Sequence, residues 1–502
     1  MHPLLGWFKL FLNLQKQPIV TPSVLLISFL VYTLVLFLIT FITARKANSE
    51  SFFIGNKRSP WFVVAYGMIG ASMSGVTFMS VPGWVGTSQF SYFMVALGYF
   101  FGYIIIANVL LPLYYRLNLT SIYTYLDQRF GFWSYKTGAF YFILSRVLGA
   151  SLRMFLIIYV LQNYVFNAWG FPFWLTVVIF ITLIILYTFK GGIRTIIWTD
   201  TLQTTFMLLA LVLSIVLISK DLDFSFSELV SRVFKSDYSN IIVTDWSARN
   251  NFLKQFLSGI FITIVMTGLD QEMMQKNLSC RNIGDAKKNM ITFSFIIVAA
   301  NFIFLFLGAA LQIYAGHKGI DLAHLPSSDD IFPTIAIRYL GPVAGLIFFI
   351  GLISAAFPSA DGALTSLTTS FSIDFLNLEK KEHLSEKAKT NIRYLVHIAF
   401  AILMLGVIVG FRFFYDKALI DKLFTIAGYT YGPLLGLYSF GLFTKHSVKD
   451  KWVPLVAILS PIICYVLSDN SDAWFGYKFG FELLILNGLL TFAGLMILRK
   501  RK

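Results

Sequence analysis

Thirteen stretches of about 20 or more mostly apolar residues follow one another along this chain, each long enough to cross a bilayer core about 30 Å thick. A soluble fold has no way to bury that many, because a soluble domain closes around one core and wets the rest of its surface. Length alone would suggest about three soluble domains. The 502 residues are instead 57% apolar and only 13% charged, against roughly 25% charged in soluble chains. The expected fold class is therefore an all-α polytopic membrane protein. Disorder, collagen, a disulfide-stapled module and a soluble enzyme are excluded.

The runs fall near 20–44, 60–86, 91–116, 136–166, 172–189, 195–219, 253–278, 289–316, 341–370, 391–414, 418–443, 452–468 and 480–498. Most of the 40 Lys and Arg residues stand at their ends. With the N-terminus outside, the loops carrying Arg45, Lys57, Arg129, Lys190, Arg281, Lys380 and Lys445, and the tail from Arg499, all lie inside. The positive-inside rule thus favours an N-out, C-in protein of the plasma (inner) membrane. The net charge of +15 is used up in this orientation, so no nucleic acid is expected, and no obligate protein partner. Trp7, Phe8, Phe11 and Leu12 fit a short interfacial helix or a frayed leader. Cys280 and Cys464 are the only cysteines, and the six histidines are scattered, which excludes a disulfide framework and zinc chemistry.

No G-x-x-x-x-G-K-[ST] motif occurs, so the chain lacks a phosphate-cradling loop for an ATP-driven pump. Transport driven by an ion gradient is the class left standing. Two runs look broken. The second places Gly67, Gly70, Ser72, Ser74, Gly75, Thr77, Ser80 and Pro82 in mid-membrane, and the seventh holds Gly259, Thr263, Thr267, Gly268 and Asp270. Unwound backbone at that depth is tolerated only where it lines a cavity or binds something. Two interrupted helices five spans apart are what an inverted-repeat transporter needs, with its site between them. Small residues used only for close helix packing are the alternative.

The stretches Leu111-Pro112 through Arg129-Phe130-Gly131, Gly191-Gly192 through Asp200 and Gln203, Asp270-Gln271 through Lys276-Asn277, Phe332-Pro333, Ser354 through Asp361, and Gly432-Pro433 through Gly436 resemble the signatures of sodium:solute symporters, in the family's order along essentially the whole chain. The resemblance implies a leucine-transporter-type 5+5 inverted-repeat core and sodium-coupled uptake rather than an enzyme. It divides the chain into an N-terminal segment and first helix (1–59), a first five-helix repeat (60–219), an extracellular loop (220–252), a second repeat (253–443), and two C-terminal helices with a basic tail (444–502).

Carried over from the family, the sodium site joins the carbonyls of Gly70 and Met73 to the carbonyl of Ala355 and the hydroxyl of Ser359. Sodium is a hard cation that wants several oxygens, and carbonyls freed by unwinding supply them. The chain departs from the family at Pro358-Ser359, where two adjacent hydroxyl residues are usual. A second sodium site would use Asp200 with Asp361, so one sodium ion or two are expected. A proton site at Asp361 or His397 is the rival coupling scheme, and pairing of Asp200 with Arg194 the structural one. Arg146 and Arg153 lie seven residues apart on one helix face, Arg146 roughly 15 Å deep. Buried guanidinium groups suggest an anionic substrate or paired acids, and few membrane acids are evident to pair with them. Sialic-acid transporters of the family hold the substrate carboxylate with a Ser, a Thr and an Arg, which Ser74, Thr77 and Arg146 resemble; Arg153 would stand in the outer vestibule. Phe78, Thr263, Gln271 and Tyr429 are placed in the pocket by position. A neutral sugar is disfavoured because Thr77 and Met266 replace the sugar transporters' Gln and Tyr; monocarboxylates, vitamins and iodide stay open. A membrane-embedded sensor or enzyme is the rival from another class.

Overall fold

The computed structural model describes residues 20–43, 57–188, 192–414 and 419–500; the N-terminal leader and Arg45 fall outside these, as does the side chain of Arg194. Among the described residues there is no β-strand, only the isolated bridges Ser59 to Cys280 and Val448 to Arg499. In chain order the α-helices are α1 Pro22–Thr43, α2 Trp61–Ser72, α3 Gly75–Ser88, α4 Tyr92–Ile105, α5 Leu111–Arg116, α6 Thr124–Arg129, α7 Phe132–Tyr164, α8 Phe173–Thr188, α9 Gly192–Asp221, α10 Phe226–Lys235, α11 Phe252–Thr263, α12 Gln271–Leu278, α13 Ile283–Lys318, α14 Ile331–Arg338, α15 Pro342–Ser370, α16 Glu386–Phe411, α17 Leu419–Phe443, α18 Val453–Phe475 and α19 Leu483–Ile497. Every expected apolar run falls on one of these helices or on a consecutive set of them. Among the described residues eight helical segments are long and apolar enough to cross a membrane, or up to ten when each bent pair counts as one span. The helices α8, α17 and α19 are shorter or more polar, so the count of thirteen crossings rests on the sequence.

The two expected breaks are present. Helices α2 and α3 meet at 58°, and the α11 segment meets α12 at 66°. At the first break Met73 leaves helical geometry, with φ −92° and ψ 84°, and only the Ile69 carbonyl recovers a partner, from the Met73 N–H. Gly, Ser and Thr at 70–77 offer no bulky side chain to hold the helix together there. At the second break α11 widens into a π-turn over Ile264–Gly268, and Asp270 caps α12 by accepting the N–H groups of Glu272 and Met273. Both breaks lie within the bundle, where α2 packs on α9 and α15. The 220–252 insert is not featureless, since it contains the amphipathic α10.

Side-chain contacts gather the basic loops on one face. Lys57 donates to Asn118, Arg129 donates to the carbonyls of Gly441, Thr444 and His446, and Asp450 accepts from Trp133 and Ser134. The opposite face is tied by Asn240 with Gln89 and by the Lys318–Asp221 pair at 2.9 Å.

Candidate functional site

A cavity of about 70 Å³ opens at the first break. Ser74 and Thr77 line it from the bent helix, Arg146 and Arg153 from α7, and Thr263 from α11. These residues are far apart in sequence and meet because the break turns α3 across the bundle toward α7. On the side away from the basic loops the cavity is closed by aromatic rings. Tyr92 stacks on Phe424 at 6.3 Å, Phe424 meets Phe481 edge-on at 4.8 Å, and Trp84 lies 6.0 Å from Phe481. Beyond them lies a second cavity of about 550 Å³, lined by Trp84, Phe481, Arg249 and Tyr429.

Three of the expected pocket residues lie elsewhere. Phe78 is fully buried against Phe304, Phe332 and Phe348, because its position on α3 points into the packing with α13, α14 and α15 rather than into the cavity. Gln271 accepts the Ile122 N–H at 3.0 Å and donates to the Thr120 carbonyl at 2.8 Å, so it fastens a connecting loop. Tyr429 belongs to the outer cavity and bonds Ser468 at 2.8 Å.

The expectation that few acids would meet the buried arginines fails. Arg146 Nη2 forms an ion pair with Glu272 Oε2, and Nη1 lies 3.6 Å from Asp270 Oδ2. Asp270 Oδ2 also accepts from Tyr431 at 2.9 Å. The other Glu272 oxygen holds Lys276 Nζ at 3.2 Å, and Lys276 reaches Asp200 Oδ2 at 2.7 Å. Arg146, Asp200, Asp270, Glu272 and Lys276 are all buried. A chain of charges thus runs from α7 through α12 to α9. Each partner offsets a desolvation cost that would otherwise be several kcal/mol per ion. Asp200, expected to serve a second sodium or to pair with Arg194, already holds an ammonium. Sequence reasoning missed Glu272 and Lys276, whose i,i+4 spacing is the signal that could have found them.

Gly362 makes this chain of charges possible. A Cβ at 362 would collide with the Glu272 carboxylate, so glycine leaves the carboxylate its room. Asp361 beside it is buried, and its Oδ1 accepts the Gly362 N–H. His397 sits between Thr188 at 3.1 Å and Thr368 at 2.9 Å and does not line the cavity.

Around the first break the donor set is neutral oxygen. Helix α2 stops at Ser72, so the carbonyls of its last turn lose their i+4 partners. A Cβ on Gly70 would lie 3.5 Å from Pro358 Cγ and 3.6 Å from the Asp200 carbonyl, which brings this turn against α15. The Ser359 hydroxyl is buried there and has no hydrogen-bond partner among the described residues. A buried orphan hydroxyl beside freed carbonyls suits a hard monovalent cation. Of the four expected sodium ligands, Gly70 and Ser359 thus come to the same junction of α2 and α15. Among the described residues no three His, Cys, Asp or Glu side chains gather to hold another metal.

Comparison with known proteins gives one family and one fold. The model of the sodium:solute symporter family matches residues 52–449. The sodium/sialic acid symporter NanT of Aliivibrio fischeri is 24% identical over 89% of this chain and 88% of its own length. The sodium-coupled monocarboxylate transporter 1 of Mus musculus is 24% identical over 79% of this chain and 64% of its own. A substrate-bound, outward-open structure of a Na+-coupled sialic acid symporter superposes with a TM-score of 0.80 at 21% identity, covering 95% of this chain and 99% of that one. The fold is the leucine-transporter type that the two bent helices call for.

Proposed function

This chain belongs to the sodium:solute symporter family, and from that premise we propose that it imports a small organic anion, sialic acid first among the candidates, together with one sodium ion. It is a sodium-coupled symporter and an integral membrane protein, not an enzyme. The observation that carries the substrate class is the convergence of Ser74, Thr77 and two buried guanidinium groups, Arg146 and Arg153, on one cavity at the break. Buried cations with hydroxyl neighbours are the donor chemistry that a carboxylate requires.

The mechanism follows from the chain's own groups. Sodium occupies the oxygens of Gly70, Met73, Ala355 and Ser359 and holds the unwound turn in place. The ordered turn then presents Ser74 and Thr77 to the substrate, so each ligand favours the other's site. Opening of the aromatic closure at Tyr92 and Phe424 admits substrate from one face, and rocking of the bundle releases it to the other. The face with the basic loops is cytoplasmic in this reading. Four buried carboxylates, Asp200, Asp270, Glu272 and the neighbouring Asp361, are set against three buried cations, Arg146, Arg153 and Lys276. The charges of one sodium ion and one monovalent anion cancel, so the two enter together without changing the net charge of this cluster. Lys276 supplies Asp200 with the positive charge that a second sodium would bring, which supports a stoichiometry of one.

Smaller monocarboxylates are the second reading. It is favoured by the cavity's 70 Å³, well below the roughly 300–1,000 Å³ of pockets for larger ligands. The test is the melting shift of purified protein in sodium chloride against choline chloride, with N-acetylneuraminate, lactate, biotin and glucose. A ligand at 100 times its Kd stabilises by about 2.7 kcal/mol. A sodium-dependent shift with a carboxylate supports the proposal; a shift with glucose alone refutes it.

A further inference from the structure

In an unbroken helix the Gly268 carbonyl would accept the Glu272 N–H and the Leu269 carbonyl the Met273 N–H. At the second break Asp270 Oδ1 takes both of these N–H groups, at 3.0 and 3.2 Å, and two phenol hydroxyls take the carbonyls. Tyr114 donates to Gly268 and Tyr123 to Leu269, each at 2.8 Å, and both rings are fully buried. The carbonyls freed here are therefore satisfied by the chain itself. The two tyrosines reach the break from different sides. Tyr114 stands on α5, which packs with α4 on α13, and α4 also packs on α11. Tyr123 stands beside α6, which packs on α7, and α17 holds the same loop through the Tyr438 hydroxyl, 2.8 Å from the Ile122 carbonyl. Helix α7 in turn packs on α15, α16 and α17. Tyr114 thus ties the break to its own group of helices, whereas Tyr123 ties it across to the other group. Gln271 crosses the same divide with its two bonds to Thr120 and Ile122. Met273 of α12 lines the inner cavity, and at the other end of α12 the Ser279 carbonyl accepts the Ser59 N–H at 3.1 Å, among the basic loops. Helix α12 and the 120–123 loop therefore stand between the cavity and the basic-loop face.

We infer that Tyr123 and Gln271 are positioning residues that hold α12 shut over the path from the cavity to the basic-loop face, and that their bonds part when α12 and its group of helices swing away from α7 and α17. The inference rests on the transport reading above and names what has to let go for release on that face. Each bond is exchanged for one to water as the path opens, so each contributes only its net worth to the closed state and the closure stays reversible. The Tyr114 bond lies within one group of helices and travels with it.

The test places a thiol on the cavity wall with Met273→Cys in the full-length chain and follows its labelling by a membrane-impermeant maleimide, added to the basic-loop face of vesicles in sodium chloride. The same chains without Met273→Cys give the blank for Cys280 and Cys464. Adding Tyr123→Phe should raise the labelling rate about 2- to 10-fold, the range for one lost hydrogen bond. Adding Tyr114→Phe removes the same kind of bond from the same break and should leave the rate unchanged, which separates the closure from a general loosening of the kink. A Tyr123→Phe chain that labels at the parent rate overturns the inference, and so does an equal rise in Tyr114→Phe or a rise seen only from the opposite face. Where Tyr123→Phe does not yield folded protein, Gln271→Met decides by the same criterion. Labelling needs no substrate, so its outcome is separate from the uptake that tests the transport reading. A chain with the expected labelling pattern and no uptake keeps the closure and refutes the transport reading alone.

Discussion

Glu272 holds Arg146 with one carboxylate oxygen and Lys276 with the other, so a single side chain on the second bent helix neutralises two cations that reach it from different parts of the bundle. Removing its charge leaves Arg146 with only the 3.6 Å contact to Asp270 and Lys276 with Asp200 alone. Glu272→Gln should lower stability by about 3–5 kcal/mol, the usual cost of breaking a buried pair from one side. The thermal melt in detergent reads this, and a loss under about 1 kcal/mol would mean that the pairs contribute little.

Gly362 should not tolerate a side chain. Gly362→Ser puts a Cβ where the Glu272 carboxylate lies, and overpacking of this kind costs about 1–3 kcal/mol. The double variant Gly362→Ser with Glu272→Ala should recover part of that loss because the colliding carboxylate is gone. Strict additivity of the two losses would show that the residues do not compete for space.

Ser359→Ala removes the orphan hydroxyl beside the first break. The sodium concentration for half-maximal stabilisation should rise about tenfold, as expected for one lost ligand to a charged group. An unchanged sodium requirement would take Ser359 out of the ion site.

Of the thirteen apolar runs, the breaks at Met73 and near Gly268 were legible in the sequence because Gly, Ser and Thr in mid-membrane cannot sustain a helix unaided. Ser74, Thr77 and Arg146 were placeable on one cavity through the family resemblance and Thr263 through its position in the second broken run, and all four line it. Phe78 was not, because one residue beyond Thr77 a helix turns by about 100° and the side chain enters the packing. The partners of Arg146 and Asp200 were also hidden. They depend on how α12 crosses α7 and α9, a tertiary relationship, and only the Glu272–Lys276 spacing carried a local hint of it.

Two acids at the face opposite the basic loops should make stability depend on pH. Asp329 is buried, accepts the Leu419 N–H at 2.9 Å, and burial pushes its carboxyl up to about 6. Asp330 is pushed up to about 7 by burial and by Asp329. The folded state therefore holds these protons more tightly than the unfolded chain, whose carboxyls titrate near 4. Stability falls as pH rises between about 4 and 7, and is regained on acidification. Asp330→Asn should flatten the melting temperature across that range; an unchanged slope would exclude the pair as its source.

The proposed stoichiometry of one sodium ion rests on Lys276. Reversal-potential flux in liposomes should give one sodium per substrate in wild type. A value of two would mean that the Asp200–Lys276 pair at 2.7 Å does not stand in for a second ion.

Sodium-coupled import of an organic anion is read from uptake of radiolabelled N-acetylneuraminate and of lactate into proteoliposomes under an inward sodium gradient, with choline as the control cation. One of the two acids should accumulate against its gradient with sodium and neither with choline. Equal accumulation in choline, or accumulation of neither acid while glucose is taken up, would contradict it.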